Sequence, residues 1–101
     1  MDILSEKISE LNKYFSLRYE GTTNEMGTYY KYKSVYFRIG TLSGEVLLEI
    51  ANSLFEAQQN WFEDVDYYYA DEEIDTVIEK IYYWLDDSDK NNCMEEKNVS
   101  V

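Results

Sequence analysis

The chain has 101 residues, with 21 Asp and Glu against nine Lys and Arg, no histidine, a net charge of -12 and a pI near 4.2. At this length it buries about 60–70% of the surface its unfolded form exposes, which supplies one core and little room for an internal active site. No cationic cluster is present to reward nucleic-acid phosphate or anionic lipid, and the absence of histidine with a lone Cys93 excludes a Cys/His zinc site, an internal disulfide and Ser-His or Cys-His nucleophile pairs.

Leu4, Ile8, Leu11 and Phe15 recur at helical spacing, with Asp2 placed to cap the helix. Leu17 and Tyr19 alternate with Arg18 and Glu20, predicting a short strand that ends at Gly21. Thr22 to Gly27 has turn chemistry and reads as a loop. Thr28 to Ile39 is rich in strand formers, but Tyr30 and Tyr32 sit on even positions whereas Val35, Phe37 and Ile39 sit on odd ones. A bulge or tight turn near Lys33-Ser34 is therefore required. Gly40 to Gly44 predicts a hairpin connection, and Glu45 to Ile50 a strand with Val46, Leu48 and Ile50 inward. Ser53 with Glu56 is a capping-box pattern opening a helix from Leu54 to Phe62, with Leu54, Ala57, Gln58 and Trp61 on one side. Tyr67 to Ala70 is a candidate edge strand in which Tyr68 must point opposite to Tyr67 and Tyr69. Asp71 is placed to cap the last helix, whose stripe is Ile74, Val77, Ile78, Ile81 and Leu85.

These elements predict an α+β fold: a small antiparallel sheet of three to four strands, with the N-terminal helix and two later helices packed on it. Residues 1–86 are expected to form a single domain. The apolar pattern stops after Leu85, so residues 87–101 are expected to be a disordered acidic tail, dispensable for fold and binding. The chain has no run of eighteen apolar residues, and its start lacks a signal-peptide pattern, so a cytoplasmic location is expected.

The charge is unevenly placed. Residues 1–44 hold six basic and five acidic side chains, whereas residues 45–101 hold three and sixteen. Within that second part Glu63, Asp64, Asp66, Asp71, Glu72, Glu73 and Asp75 are concentrated beside Tyr67, Tyr68 and Tyr69. A calcium loop needs alternate ligands around a central glycine, a spacing this run does not have. Paired carboxylates could do acid/base work only in a cleft, which a chain this short seldom builds. No enzymatic activity, cofactor or metal is therefore expected. Acids beside rigid aromatic rings are complementary to Lys and Arg through Coulomb attraction and cation–π contact. A second aromatic group, Tyr29, Tyr30, Tyr32, Tyr36 and Phe37, alternates with Lys31, Lys33 and Arg38. A single-strand nucleic-acid platform has that alternation, but three cations on a body at -12 favour plain cross-strand packing.

The tyrosine run leading into Asp71-Glu72-Glu73-Ile74-Asp75 resembles small acidic immunity proteins of bacterial toxin–immunity systems. The stretch Glu45 to Leu85 also resembles small α+β proteins of low-GC Gram-positive bacteria. The resemblance implies a cognate toxin domain, possibly a nuclease, bound and inhibited one to one. The residues read as partner-binding are Glu63, Asp64, Asp66, Tyr67, Tyr69, Asp71, Glu72, Asp75 and Tyr83, with Glu45, Glu49 and Glu56 as a separate acidic patch. A phage-type nucleic-acid mimic that blocks a restriction, repair or defence enzyme is an alternative with the same charge logic. A carboxylate-based metal or small-ligand module is a second alternative. Neither direct nucleic-acid nor membrane binding is expected, and a homo-oligomer is not predicted.

Overall fold

A computed structural model describes the backbone of residues 2–99 and the side chains of residues 2–93. The order is α1 (Ile3–Ser16), β1 (Gly21–Asn24), β2 (Gly27–Tyr32), β3 (Val35–Leu42), β4 (Glu45–Ala51), α2 (Leu54–Gln58), β5 (Glu63–Tyr68) and α3 (Ile74–Val99). The five strands form one antiparallel meander in sequential order, β1-β2-β3-β4-β5. The three hairpin turns joining β1 to β4 each have two residues. Lys33 takes a positive φ of 51° between Tyr32 and Val35, which resolves the parity break, and Ser43 and Gly44 at 53° and 81° close β3 onto β4.

Strand alternation divides the sheet into two faces. On one, Tyr30, Tyr32, Val35, Phe37, Ile39, Val46, Leu48, Ile50 and Tyr68 pack against Leu11 and Phe15 of α1 and Val77, Ile81 and Leu85 of α3. Each fully buried aliphatic or aromatic side chain there contributes about 1.5–3 kcal/mol through lost water contact. The Asp2 carboxylate accepts from the Leu4 N–H at 3.2 Å, so the N-cap of α1 is as expected. Aromatic hydroxyls at the rim are gathered together: the Tyr82 hydroxyl lies 2.8 Å from that of Tyr19 and 3.5 Å from that of Tyr14. Burial, and after it these hydrogen bonds, push the Tyr82 phenol well above its ordinary pKa.

Several expectations are corrected. There are five strands rather than three or four, because Thr22–Asn24, read as part of a loop, pairs with β2 together with Gly21. Leu17 and Tyr19 form no strand; Leu17 is the exposed C-cap of α1. The α2 helix stops at Gln58, and it lies on the sheet face opposite α1 and α3. There Ala57 is buried with Tyr29 and Ala51, against Phe62 and Tyr36. The edge strand β5 runs from Glu63 to Tyr68 rather than from Tyr67 to Ala70, so it takes in Glu63, Asp64 and Asp66, and α3 begins at Ile74, which leaves Asp71 short of the cap position.

The boundary expected at residue 87 falls inside α3, which continues to Val99. This extension is fastened to the β2–β3 turn. The Ser34 amide and hydroxyl donate to Asp89 at 3.1 and 2.6 Å. Asn92 donates to the Ser34 carbonyl at 3.4 Å and to the Asn52 carbonyl at 3.1 Å. The Tyr32 hydroxyl donates to Asp86. The Ser34 hydroxyl holds the Asp89 carboxyl below its ordinary pKa. Residues 100 and 101 of the expected tail lie outside the described residues.

Candidate functional site

The sheet face away from α1 and α3 is covered only at one end, by α2 and the segment leading into β5. Its remaining surface is set by the residues that alternate with the core. On β4, Glu45 and Glu49 flank Leu47, and Leu47 pairs with Tyr67 of β5. Glu49 pairs with Asp64, on the far side of an irregularity in the β4–β5 ladder. The Tyr67 hydroxyl donates to Asp64 at 3.3 Å. The register thus sets this half-exposed ring beside three carboxylates, and desolvation, then the charges of Asp64, Glu45 and Glu49, push its phenol above the ordinary value.

Beside this cluster, Arg38 of β3 makes a bidentate ion pair with Glu49, Nε to Oε1 and Nη2 to Oε2, both at 3.1 Å. The guanidinium carbon also lies 4.3 Å from the ring centre of Phe62, so the pair is largely screened from water on a platform of aromatic carbon. The preceding residue, Trp61, is 58% exposed and meets the 59% exposed Phe55 of α2 edge to face at 5.5 Å, with exposed Leu54 at the start of that helix. The acidic cluster thus reaches the α2 region through Arg38 and Phe62, whose chain neighbour is Trp61.

The nine residues read from the sequence as partner-binding do not form a single patch. Asp64 and Tyr67 lie in the cluster just described. Glu63 is exposed at the start of β5 opposite Ile50. Asp66 points to the helix-covered side, where the Trp84 indole N–H donates to it at 2.9 Å, and its other oxygen accepts from the Tyr67 amide. Glu72 accepts from the Tyr69 amide and pairs with Lys80. Tyr69, Asp71 and Asp75 are exposed around the start of α3, and Tyr83 is exposed on its outer side, with its ring against Trp84. Asp66 and Glu72 therefore hold β5 and its loop to α3.

The sequence pattern keeps Glu45 and Glu49 as a separate patch and puts Leu54 and Trp61 on one side of a helix with Ala57. The structure joins Glu45 and Glu49 to Asp64 and Tyr67 and turns Leu54, Phe55 and Trp61 to solvent. A signal for the second point was present: Ser53 fixes the start of α2, and a helix that short buries one small residue, Ala57, leaving its larger neighbours outside. Glu56 instead faces its cap, its amide and carboxylate both bonded to the Ser53 hydroxyl.

Among the described residues no group of three or more His, Cys, Asp or Glu side chains is arranged to hold a metal ion. No helix among them is long and apolar enough to cross a membrane. No family model, no curated protein and no solved structure matches the chain.

Proposed function

We propose that the protein binds a basic protein partner through the open sheet face, with Glu45, Asp64 and Tyr67 supplying the charged, aromatic rim and Phe55 and Trp61 the apolar anchors. The observation that carries this reading is the placement of the Tyr67 ring beside Asp64, Glu45 and Glu49 on the part of this face that α2 leaves open. Carboxylates around an aromatic ring suit a lysine or arginine head, and exposed paired aromatics supply the desolvated contact that dominates interface energetics. Net charge of -12 accelerates encounter with a cationic surface and makes it salt-dependent. The biological setting we propose is immunity: a cognate bacterial toxin domain, held one to one and kept from its target. The protein acts in this reading as a binding module and not as an enzyme.

The test has two arms. Titration with an arginine-rich decapeptide at low and high salt should shift the NMR signals of Tyr67, Glu45 and Asp64. The Glu45→Lys/Asp64→Lys double variant should bind at least about tenfold more weakly while unfolding within about 0.5 kcal/mol of the parent. Unchanged affinity in that variant, or binding insensitive to salt, removes the site. Co-expression with the reading frame immediately upstream of the protein's gene tests the setting: the protein should restore growth that the upstream product abolishes, and failure to do so removes the immunity assignment.

A further inference from the structure

The sheet is continuous between β3 and β4 but not between β2 and β3. The β3–β4 ladder runs from Tyr36↔Ala51 to Leu42↔Glu45, whereas the β2–β3 ladder ends after Tyr32↔Val35, Lys31↔Tyr36 and Tyr30↔Phe37. Beyond that point β2 continues back to Gly27 and β3 onward to Leu42 with no pair joining them among the described residues. The reason lies on the open face. Tyr29 is drawn into the small cluster with Ala57 and Phe62, and the Asn24 amide at the β1–β2 turn donates to Asn60, just past α2, at 3.1 Å. The β1–β2 hairpin is thereby tied to the α2 region. A cleft of about 420 Å³ lies where it parts from β3, with Met26, Gly27 and Thr28 on one wall and Ile39, Gly40 and Thr41 on the other.

The hydrogen-bonding parity of β3 says what faces that cleft. Leu42 and Glu45 close a two-residue turn and so form a hydrogen-bonded pair, which directs the main-chain groups of Leu42, Gly40 and Arg38 to β4. Tyr32 and Val35 close the other two-residue turn in the same way, directing those of Val35 and Phe37 to β2. Ile39 and Thr41 continue the second set. Each non-proline residue carries one N–H and one C=O, and theirs point into the cleft without a ladder partner. A side chain at Gly40 would find only the Glu49 carboxylate, at 3.7 Å, so the wall carries no bulk at that position on the open face.

We propose that this cleft is a strand-addition site, in which an extended segment of a protein partner pairs antiparallel with Ile39 to Thr41. An extended main chain is the occupant whose alternating donors and acceptors match those two residues, as in other sheet-edge recognition. The Arg38–Glu49 pair that lines the cleft is internally neutralised, and it is the net charge of -12 that favours a segment bearing lysine or arginine. That preference for a basic segment rests on the function proposed above; the strand pairing does not. The contact adds main-chain register to a surface otherwise defined by charge and aromatic anchors, and it lies next to them, because Arg38 and Glu49 border both.

The probe is a terminally blocked Lys-Val-Lys-Val-Lys-Val peptide, compared with its counterpart N-methylated on every residue. The two carry the same charge and differ in main-chain donors. In the free protein the Ile39 and Thr41 amides should exchange with solvent faster than those of Phe37 and Arg38. The first peptide should protect them, and the methylated one should bind at least about tenfold more weakly. Thr41→Pro, which removes one donor on the cleft side, should weaken the first peptide alone; if that variant does not fold, the peptide pair on the unmutated chain decides. Equal binding of both peptides, or slow exchange of Ile39 and Thr41 in the free protein, overturns the proposal. Signals moving only around Tyr67 and Glu45 would also sink strand addition while leaving the charge-based reading intact. Protection that the Glu45→Lys/Asp64→Lys variant leaves unchanged would keep strand addition and remove the basic-partner reading. Protection that rises with protein concentration alone, with a dimer in light scattering, would give the cleft to a second copy and overturn the proposed occupant.

Discussion

The two faces of the sheet are built from alternating residues of the same strands and have opposite chemistry. Tyr30, Phe37, Leu48 and Tyr68 are almost without water contact beneath α1 and α3. Their neighbours Lys31, Arg38, Glu49 and Tyr67 point the other way and form an ion pair and a carboxylate-ringed phenol. Because a one-residue slip exchanges the two sets, the burial of one face fixes the register that displays the other. Stability and the proposed recognition surface are therefore open to separate alteration, one strand position apart.

Alkaline titration should produce the largest effect on the covered face. Burial is the leading cause that raises the phenol pKa of Tyr30, Tyr32, Tyr68 and Tyr82. A raised folded pKa means stability that is fully present below the unfolded value near 10 and is lost as pH climbs through the folded values. Phenolate absorbance of these rings should therefore appear together with loss of far-UV circular dichroism. Ionisation of all eleven tyrosines in a still-folded chain would contradict the assignment of a dry face. Leu48→Ala, beneath both helices, should lower stability by about 2–5 kcal/mol in urea denaturation.

Arg38→Ala, on the opposite face, should lose about 1–3 kcal/mol, because Glu49 is left largely screened from water without its partner. A loss as large as that of Leu48→Ala would blur the division between the faces. Truncation after Asp87 should lose about 1–2 kcal/mol through the bonds of Asp89 and Asn92 to the Ser34 turn; an unchanged urea midpoint would restore the dispensable tail. Smallest is Tyr68→Phe. The Tyr68 hydroxyl is the one buried side-chain polar atom among the described residues without a hydrogen-bond partner. Its removal should leave stability unchanged or raise it by up to about 1 kcal/mol, by the same unfolding measurement.

Most of the covered face was legible in the sequence. The stripes Leu4-Ile8-Leu11-Phe15 and Val77-Ile81-Leu85 have the helical period, and the parity change between Tyr32 and Val35 required the turn at Lys33-Ser34. What escaped was held by distant partners. Gly21–Asn24 has no apolar residue and is a strand only because β2 lies beside it. Past Leu85 the chain offers no apolar stripe, and its anchoring comes from Ser34, more than fifty positions away. The candidate site was legible as a sign of charge and as two of its members, Asp64 and Tyr67. Its other acids, Glu45 and Glu49, come from the neighbouring strand, and their union with β5 depends on cross-strand register, which local pattern does not encode.

The sequential strand order has a kinetic side. Each ladder joins consecutive segments, and the intervening turns are short except where α2 bridges β4 and β5. Loop closure is then entropically light at every step of the meander, and such local topologies fold rapidly for their size. The greatest chain separation among the core contacts lies where α1 meets α3, at the hydroxyls of Tyr14, Tyr19 and Tyr82. Opposite ends of the chain must find each other there, so closing that tyrosine seam carries a larger loop-closure cost than pairing any two neighbouring strands.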